Sequence, residues 1–300
     1  MKLTPLETAR IFTRTAQPWS LLGGILFYAL GVGVAHYLGE PLDWRVYWLG
    51  QACITMLQVS SFYLKHYFDL PPYHRNDPKR DAKPITDLPK PAWLQAAITT
   101  LTVDAVIAAL LISGRDLNPV SLILFVIGFA LLFFYAVPPF RLVYSGYGEL
   151  IQAYFVASLT PFIAYALQSG DLHRLLWLLT QPLTALYLAT TMALTLHGTP
   201  EQIRLGRQNI WSRIGWQRGF MLHNLLVLGA FVLLGVFSLL GLPWLLTWPG
   251  LLGLPFGVLQ VVHVNQIADG DKPRWRLLSL LALASLGIAA YSITLTLWIH

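Results

Sequence analysis

The chain has 300 residues, of which 56% are hydrophobic and 11% charged, whereas soluble domains carry about 25% charged residues. So much apolar surface does not fit inside one soluble core, which leaves lipid as the solvent. The net charge of +6 does not sit on a soluble face, which argues against nucleic acid as a partner. In a membrane protein a basic excess marks cytoplasmic loops and anionic headgroups.

In chain order, a polar, amphipathic start (1–19) precedes a long apolar run without a small-residue cleavage site. A secretory signal is shorter and has such a site, so this run reads as a retained first span. A helix needs about 20 mostly apolar residues to cross a bilayer. Nine segments qualify: 20–38, 46–64, 93–113, 119–137, 150–167, 174–196, 220–240, 244–262 and 277–299. In lipid each backbone polar group must be satisfied within its own segment, so these are helices. The alternation of an outer-membrane barrel is absent. The expectation is an all-α polytopic membrane protein, one domain over 1–300. The single cysteine, Cys53, lies inside an apolar run, which excludes a disulfide framework and a thiol metal cluster.

With the N-terminus in the cytoplasm, 17 of the 20 Lys and Arg fall in cytoplasmic segments; only Arg45, Arg115 and Arg174 fall outside. That asymmetry sets the orientation and supports the span count. It predicts an integral protein of the plasma (inner) membrane, with the C-terminus outside.

The polar chemistry then collects on the cytoplasmic face. Residues 65–91 hold four carboxylates, six Lys or Arg, two His and six Pro. Positive-inside topology explains the cations but not Asp69, Asp77, Asp81 and Asp87 in one loop. Asp77 and Asp81 are spaced to share one helical face, with Asp77 as an alternative N-cap before Pro78. Asp104 lies within the third span, and an intramembrane acid is costly enough to be a functional candidate. His197 ends the sixth span. No P-loop, dinucleotide fingerprint, zinc pair or nucleophile elbow is present.

Four segments carry a family resemblance: "KHYFD" (65–69), "AKPIT" (82–86), "YAVPPFRLVYSGYGEL" (135–150) and "GRQNIWSRIG" (206–215). In that order, with the span count, they resemble the UbiA superfamily of intramembrane prenyltransferases, and the third segment is the most specific. The resemblance implies nine helices in a bundle around a central cavity, and transfer of a prenyl chain from its diphosphate to an aromatic acceptor. It implies Mg2+ held by two Asp-rich motifs. The chain departs there. The first motif, Asn-Asp-x-x-Asp-x-x-x-Asp, reads Lys65, His66, Asp69 and Tyr73. The Asp positions of the second read Gln202 and Gly198, with Glu201 the nearest acid.

The resemblance therefore assigns the chemistry to Asp69, Glu201 and Tyr135. A metal would fall to Asp69, Asp77, Asp81 and Glu201. Lys65, Arg141, Arg204 and Arg207 would hold diphosphate oxygens, Arg as a fork and Lys as a point charge. Extra cations in place of lost carboxylates predict a diphosphate site with fewer metal ions, or none. Glu149 matches the family in what is read as a structural position. The partners expected are a polyprenyl diphosphate, a small aromatic acceptor of quinone- or tetrapyrrole-precursor type, and the lipid bilayer. The alternative is a non-catalytic descendant that binds prenyl lipid or scaffolds other membrane proteins, which loss of the motif acids favours. A small transporter would want internal repeats or broken mid-membrane helices, which the sequence does not display.

Overall fold

A computed structural model of the chain describes residues 17–69, 89–114 and 116–300. Asp77, Asp81 and the 82–86 element lie outside the described residues. Twelve helices run as α1 Pro18–Tyr37, α2 Trp44–Phe68, α3 Lys90–Ser113, α4 Pro119–Ala136, α5 Gly148–Ser169, α6 Arg174–Leu196, α7 Thr199–Arg204, α8 Ile210–Ile214, α9 Trp216–Leu239, α10 Trp244–Leu251, α11 Leu254–Ala268 and α12 Trp275–Ile299. Within α5 the stretch Tyr154–Leu159 is a π-helical turn.

The starts of these helices are written locally. Asp43 caps α2 by accepting from the N–H groups of Arg45 (2.8 Å) and Val46 (3.2 Å). Asn118 caps α4 through the Ser121 N–H at 2.8 Å. Asn209 and Ser212 form a reciprocal capping box on α8. Each satisfies backbone donors that a helix N-terminus otherwise leaves orphaned.

Among the described residues, seven helices are long and apolar enough to cross a membrane, or eight if the bent pair α10–α11 is one span. The expected count of nine is not confirmed, on two points. Helix α2 contains the expected 46–64 segment and is 25 residues long, but it is not among the seven. It turns Gln51, Gln58, Ser60 and Ser61 inward, where all four are buried, and these polar residues dilute its apolar character. The expected 244–262 segment is broken, with a bend of 40° between α10 and α11. Pro249 and Pro255 flank the break; each lacks an N–H, and its ring clashes with the preceding turn.

The helices form a ring. Helix α1 packs on α2, α5 and α12; α6 packs on α9 and α12; and α3 leans on α2 from outside. The ring closes where the Trp298 indole donates to the Ala29 carbonyl at 3.0 Å. Leu22, Ile123, Val126 and Leu280 face outward, as lipid permits. Thr190, Thr191, His223 and Gln260 are buried inside, because polar groups in a bilayer are stable only against other protein.

The α1–α5 contact is backbone against backbone. A Cβ on Gly31 would lie 2.3 Å from the Pro161 carbonyl oxygen. Gly31→Ala is therefore expected to destabilise the protein by about 1–3 kcal/mol, read as a lower thermal midpoint in detergent. An unchanged midpoint would show that the two helices separate at no cost.

Candidate active site

The site forms where four elements converge at one end of the ring. Helix α2 delivers Lys65, His66 and Asp69 at its C-terminal end. Lys65 and Asp69 are four residues apart and so share a face. Helix α4 contributes Tyr135, which is 3% exposed. The turn before α5 brings Tyr144, and the first turn of α5 brings Gly148 and Glu149. The end of α6 and the α7–α8 connection bring Thr195, Gln202, Arg207 and Asn209. These residues line one cavity of about 630 Å³.

Two loops from distant parts of the chain are stitched together over it. The Gln208 N–H donates to the Tyr144 carbonyl at 3.0 Å, and Ser145 pairs with Gln208 as an isolated parallel bridge. Arg213 donates to the Ser145 carbonyl (2.6 Å) and to the Tyr147 hydroxyl (2.7 Å), and its guanidinium lies 4.0 Å from the centre of the Tyr147 ring. Gly146 makes this possible. Its φ of +84° suits glycine, and a Cβ there would meet the Arg213 side chain at 2.7 Å.

Tyr144 is the hub. Arg207 lies 4.9 Å from the centre of its ring, Arg141 5.5 Å and Lys65 5.8 Å. Such faces attract cations by about 0.5–2 kcal/mol each. Arg207 also pairs with the Asp69 carboxylate, and Arg141 donates to the Phe68 carbonyl. Burial is the main influence pushing the Tyr144 phenol up, and its hydroxyl faces Asp69. Lys65, Arg141 and Arg207 outnumber the two carboxylates of this cavity, Asp69 and Glu149, and leave it positive, which suits a multiply charged anion.

The structure brings Lys65, Asp69, Tyr135 and Arg207 into the cavity wall. Arg141 stands behind Tyr144 and is not a lining residue. Glu201 and Arg204 are exposed on α7, and neither lines the cavity; Gln202 does. Asp104 faces Cys53 across the α2–α3 contact, away from the cavity lining. His197 packs its ring on Trp275 at 4.8 Å. No group of three His, Cys, Asp or Glu able to hold a metal exists among the described residues. Tyr144 escaped sequence reasoning, as did the placing of Glu149 and Asn209 in the wall. The crowding of Tyr and Gly in "YSGYGE" was the available signal.

No protein-family model matches the chain, and no curated protein matches it in sequence. Solved structures do match in shape. A UbiA homologue from Archaeoglobus fulgidus bound to GPP and Mg2+ superposes with a TM-score of 0.67 at 15% identity, covering 97% of this chain and 100% of that one. The same homologue bound to DMAPP and Mg2+ gives 0.66 at 15%, covering 96% and 99%. A structure of digeranylgeranylglyceryl phosphate synthase gives 0.64 at 13%, covering 98% and 100%.

The chain has the UbiA-superfamily fold.

Within this UbiA fold, the loop-to-loop latch through Arg213 is a local device that holds the cavity mouth in shape. Hydrogen bonds to charged groups contribute about 1.5–3 kcal/mol, less where solvent screens them as it does at exposed Arg213. Arg213→Ala is expected to lower the thermal midpoint in detergent by a few degrees, and exposed Arg218→Ala to leave it unchanged. Equal effects at the two positions would dissolve the latch.

Proposed function

We propose that this chain is an intramembrane prenyltransferase. It moves a polyprenyl group from its diphosphate to a small aromatic acceptor of the quinone-precursor kind. The observation that carries this reading is the cationic cluster of Lys65, Arg207 and Arg141 around Tyr144. It sits at the mouth of a cavity in a fold whose solved examples hold GPP or DMAPP with Mg2+.

The chemistry needs a charged end and a dry end. As the allylic C–O bond breaks, its electron pair leaves with the pyrophosphate and the prenyl carbon becomes cationic. Lys65 and Arg207 stabilise the charge that develops on the leaving group, and preorganised donors aimed at such charge are a large part of catalysis. The apolar bundle accepts the isoprenoid tail and keeps water from the carbocation. Tyr135, buried in the wall between the two ends, presents its ring to the cationic carbon. The proposal has the mouth on the cytoplasmic side, and the excess of Lys and Arg in the segments that form it supports that reading.

Mg2+ bound to diphosphate oxygens would supply further charge neutralisation, and it accompanies the ligands in the solved A. fulgidus homologue. The described residues do not make a site for it: of the two carboxylates in the cavity wall, Asp69 is paired with Arg207 and Glu149 stands by Lys65, and no group of three ligands is present among them. Asp77 and Asp81 are the remaining candidate ligands from the sequence. Direct cationic contact is thus the principal means of holding the diphosphate.

Two outcomes follow for purified protein given labelled geranylgeranyl or longer diphosphate and a panel of phenolic acceptors. Removing two charged hydrogen-bonding partners, each contributing about 1.5–3 kcal/mol, should weaken diphosphate binding at least a hundredfold in Lys65→Ala/Arg207→Ala. Normal binding by that double variant would refute the cation clamp. Chelation by EDTA should weaken binding by less than about tenfold, since the protein's own cations hold most of the headgroup. Abolished binding would return the site to a metal-dependent one. Binding without any turnover would favour the non-catalytic reading.

A further inference from the structure

The transferase reading leaves one atom unaccounted for: the proton that the acceptor must lose. We infer that Glu149 is the carboxylate that receives it. This inference rests on the transferase reading and names a residue that reading does not use.

Glu149 is 6% exposed and lines the cavity. Its Oε2 has no hydrogen-bond partner among the described residues. An unsatisfied buried carboxylate oxygen is costly and calls for an explanation. Around the carboxylate stand its own N–H, the Ile210 N–H, the Thr195 hydroxyl and the Lys65 ammonium group. Tyr135 is close enough to feel its charge.

Position separates Glu149 from the other acids. Asp69 is at the mouth and bound to Arg207. Glu201 is exposed on α7 and Asp104 faces Cys53 outside the cavity lining. Glu149 follows Gly148 at the start of α5, one turn before Gln152. Gln152 lines both the main cavity and a water-sized notch beyond it, as Tyr135 does. Glu149 therefore shares one cavity wall with Lys65, Tyr135 and Gln152, within reach of an acceptor bound there.

The balance is simple. The allylic C–O bond breaks and its electron pair departs with pyrophosphate. The acceptor's ring carbon forms the new C–C bond and becomes a cationic arenium. Its ring proton passes to Glu149 Oε2, which restores aromaticity. No oxidant or reductant enters. The acceptor class this selects is an electron-rich aromatic, such as a phenol or naphthol, with a free C–H beside the oxygen.

The test is Glu149→Gln in the full chain, with prenyl-diphosphate binding and turnover of a phenol and naphthol panel measured separately. Glutamine keeps the shape and the contact with the 207–210 segment but accepts no proton. General-base contributions are typically 10²–10⁴-fold, so kcat should fall about a hundredfold or more while diphosphate Kd and the thermal midpoint hold. A kcat within threefold of the parent overturns the inference. So does a parallel loss of diphosphate affinity, which would place Glu149 with the headgroup cations. If Glu149→Gln fails to fold, Glu149→Asp decides. Withdrawing the carboxylate by one methylene should lower kcat at least tenfold with diphosphate Kd unchanged, and an unaltered kcat overturns the idea. A parent protein that binds diphosphate but prenylates nothing in the panel sinks the transferase reading and this one together. Normal parent turnover with an unimpaired Glu149→Gln sinks this one alone.

Discussion

The site depends on one contact: the backbone bond from Gln208 to Tyr144, reinforced by Arg213 across Ser145 and Tyr147. Without it the turn before α5 and the connection after α7 are two separate surface loops. With it, Tyr144 is presented to Arg207, Arg141 and Lys65 together. The three cations repel one another, and the ring face and the Asp69 carboxylate between them offset that repulsion. The positive mouth is a consequence of the latch rather than of any single residue.

The membrane explains the remainder of the arrangement. Lipid gives no reward for burying leucine between helices, so close backbone packing and interior hydrogen bonds hold the ring together. Gly31 against Pro161 is an instance of the first, and Trp298 to Ala29 of the second. The same logic sends Gln58, Ser60 and Ser61 inward on α2. That helix is the least lipid-like of the long ones, and it is also the one whose end supplies Lys65 and Asp69.

Much of this was legible in the residues. The apolar runs marked most helices, and the 135–150 segment carried the fold by its own pattern. Lys65, Asp69, Tyr135 and Arg207 sit in one cavity wall because they flank helix ends that topology brings together. Other features were not legible. Successive residues on a helix are turned about 100° apart, so on α7 Gln202 enters the cavity wall while its neighbour Glu201 faces out. A search for acids finds Glu201 and passes over Gln202, the neighbour that lines the cavity. Tyr144 had no chemistry to announce it, since its part depends on three cations arriving from elsewhere in the chain. Pro249 and Pro255 did signal the break between α10 and α11, but an unbroken hydropathy count passes over them.

The pairing of Asp69 with Arg207 has a further consequence. The mouth carries its own counter-ion: the Asp69 carboxylate offsets part of the Arg207 charge through one nitrogen of a five-donor guanidinium. Charge at this end of the bundle is thus partly balanced from within, with Asp69 set against cations that would otherwise face only one another.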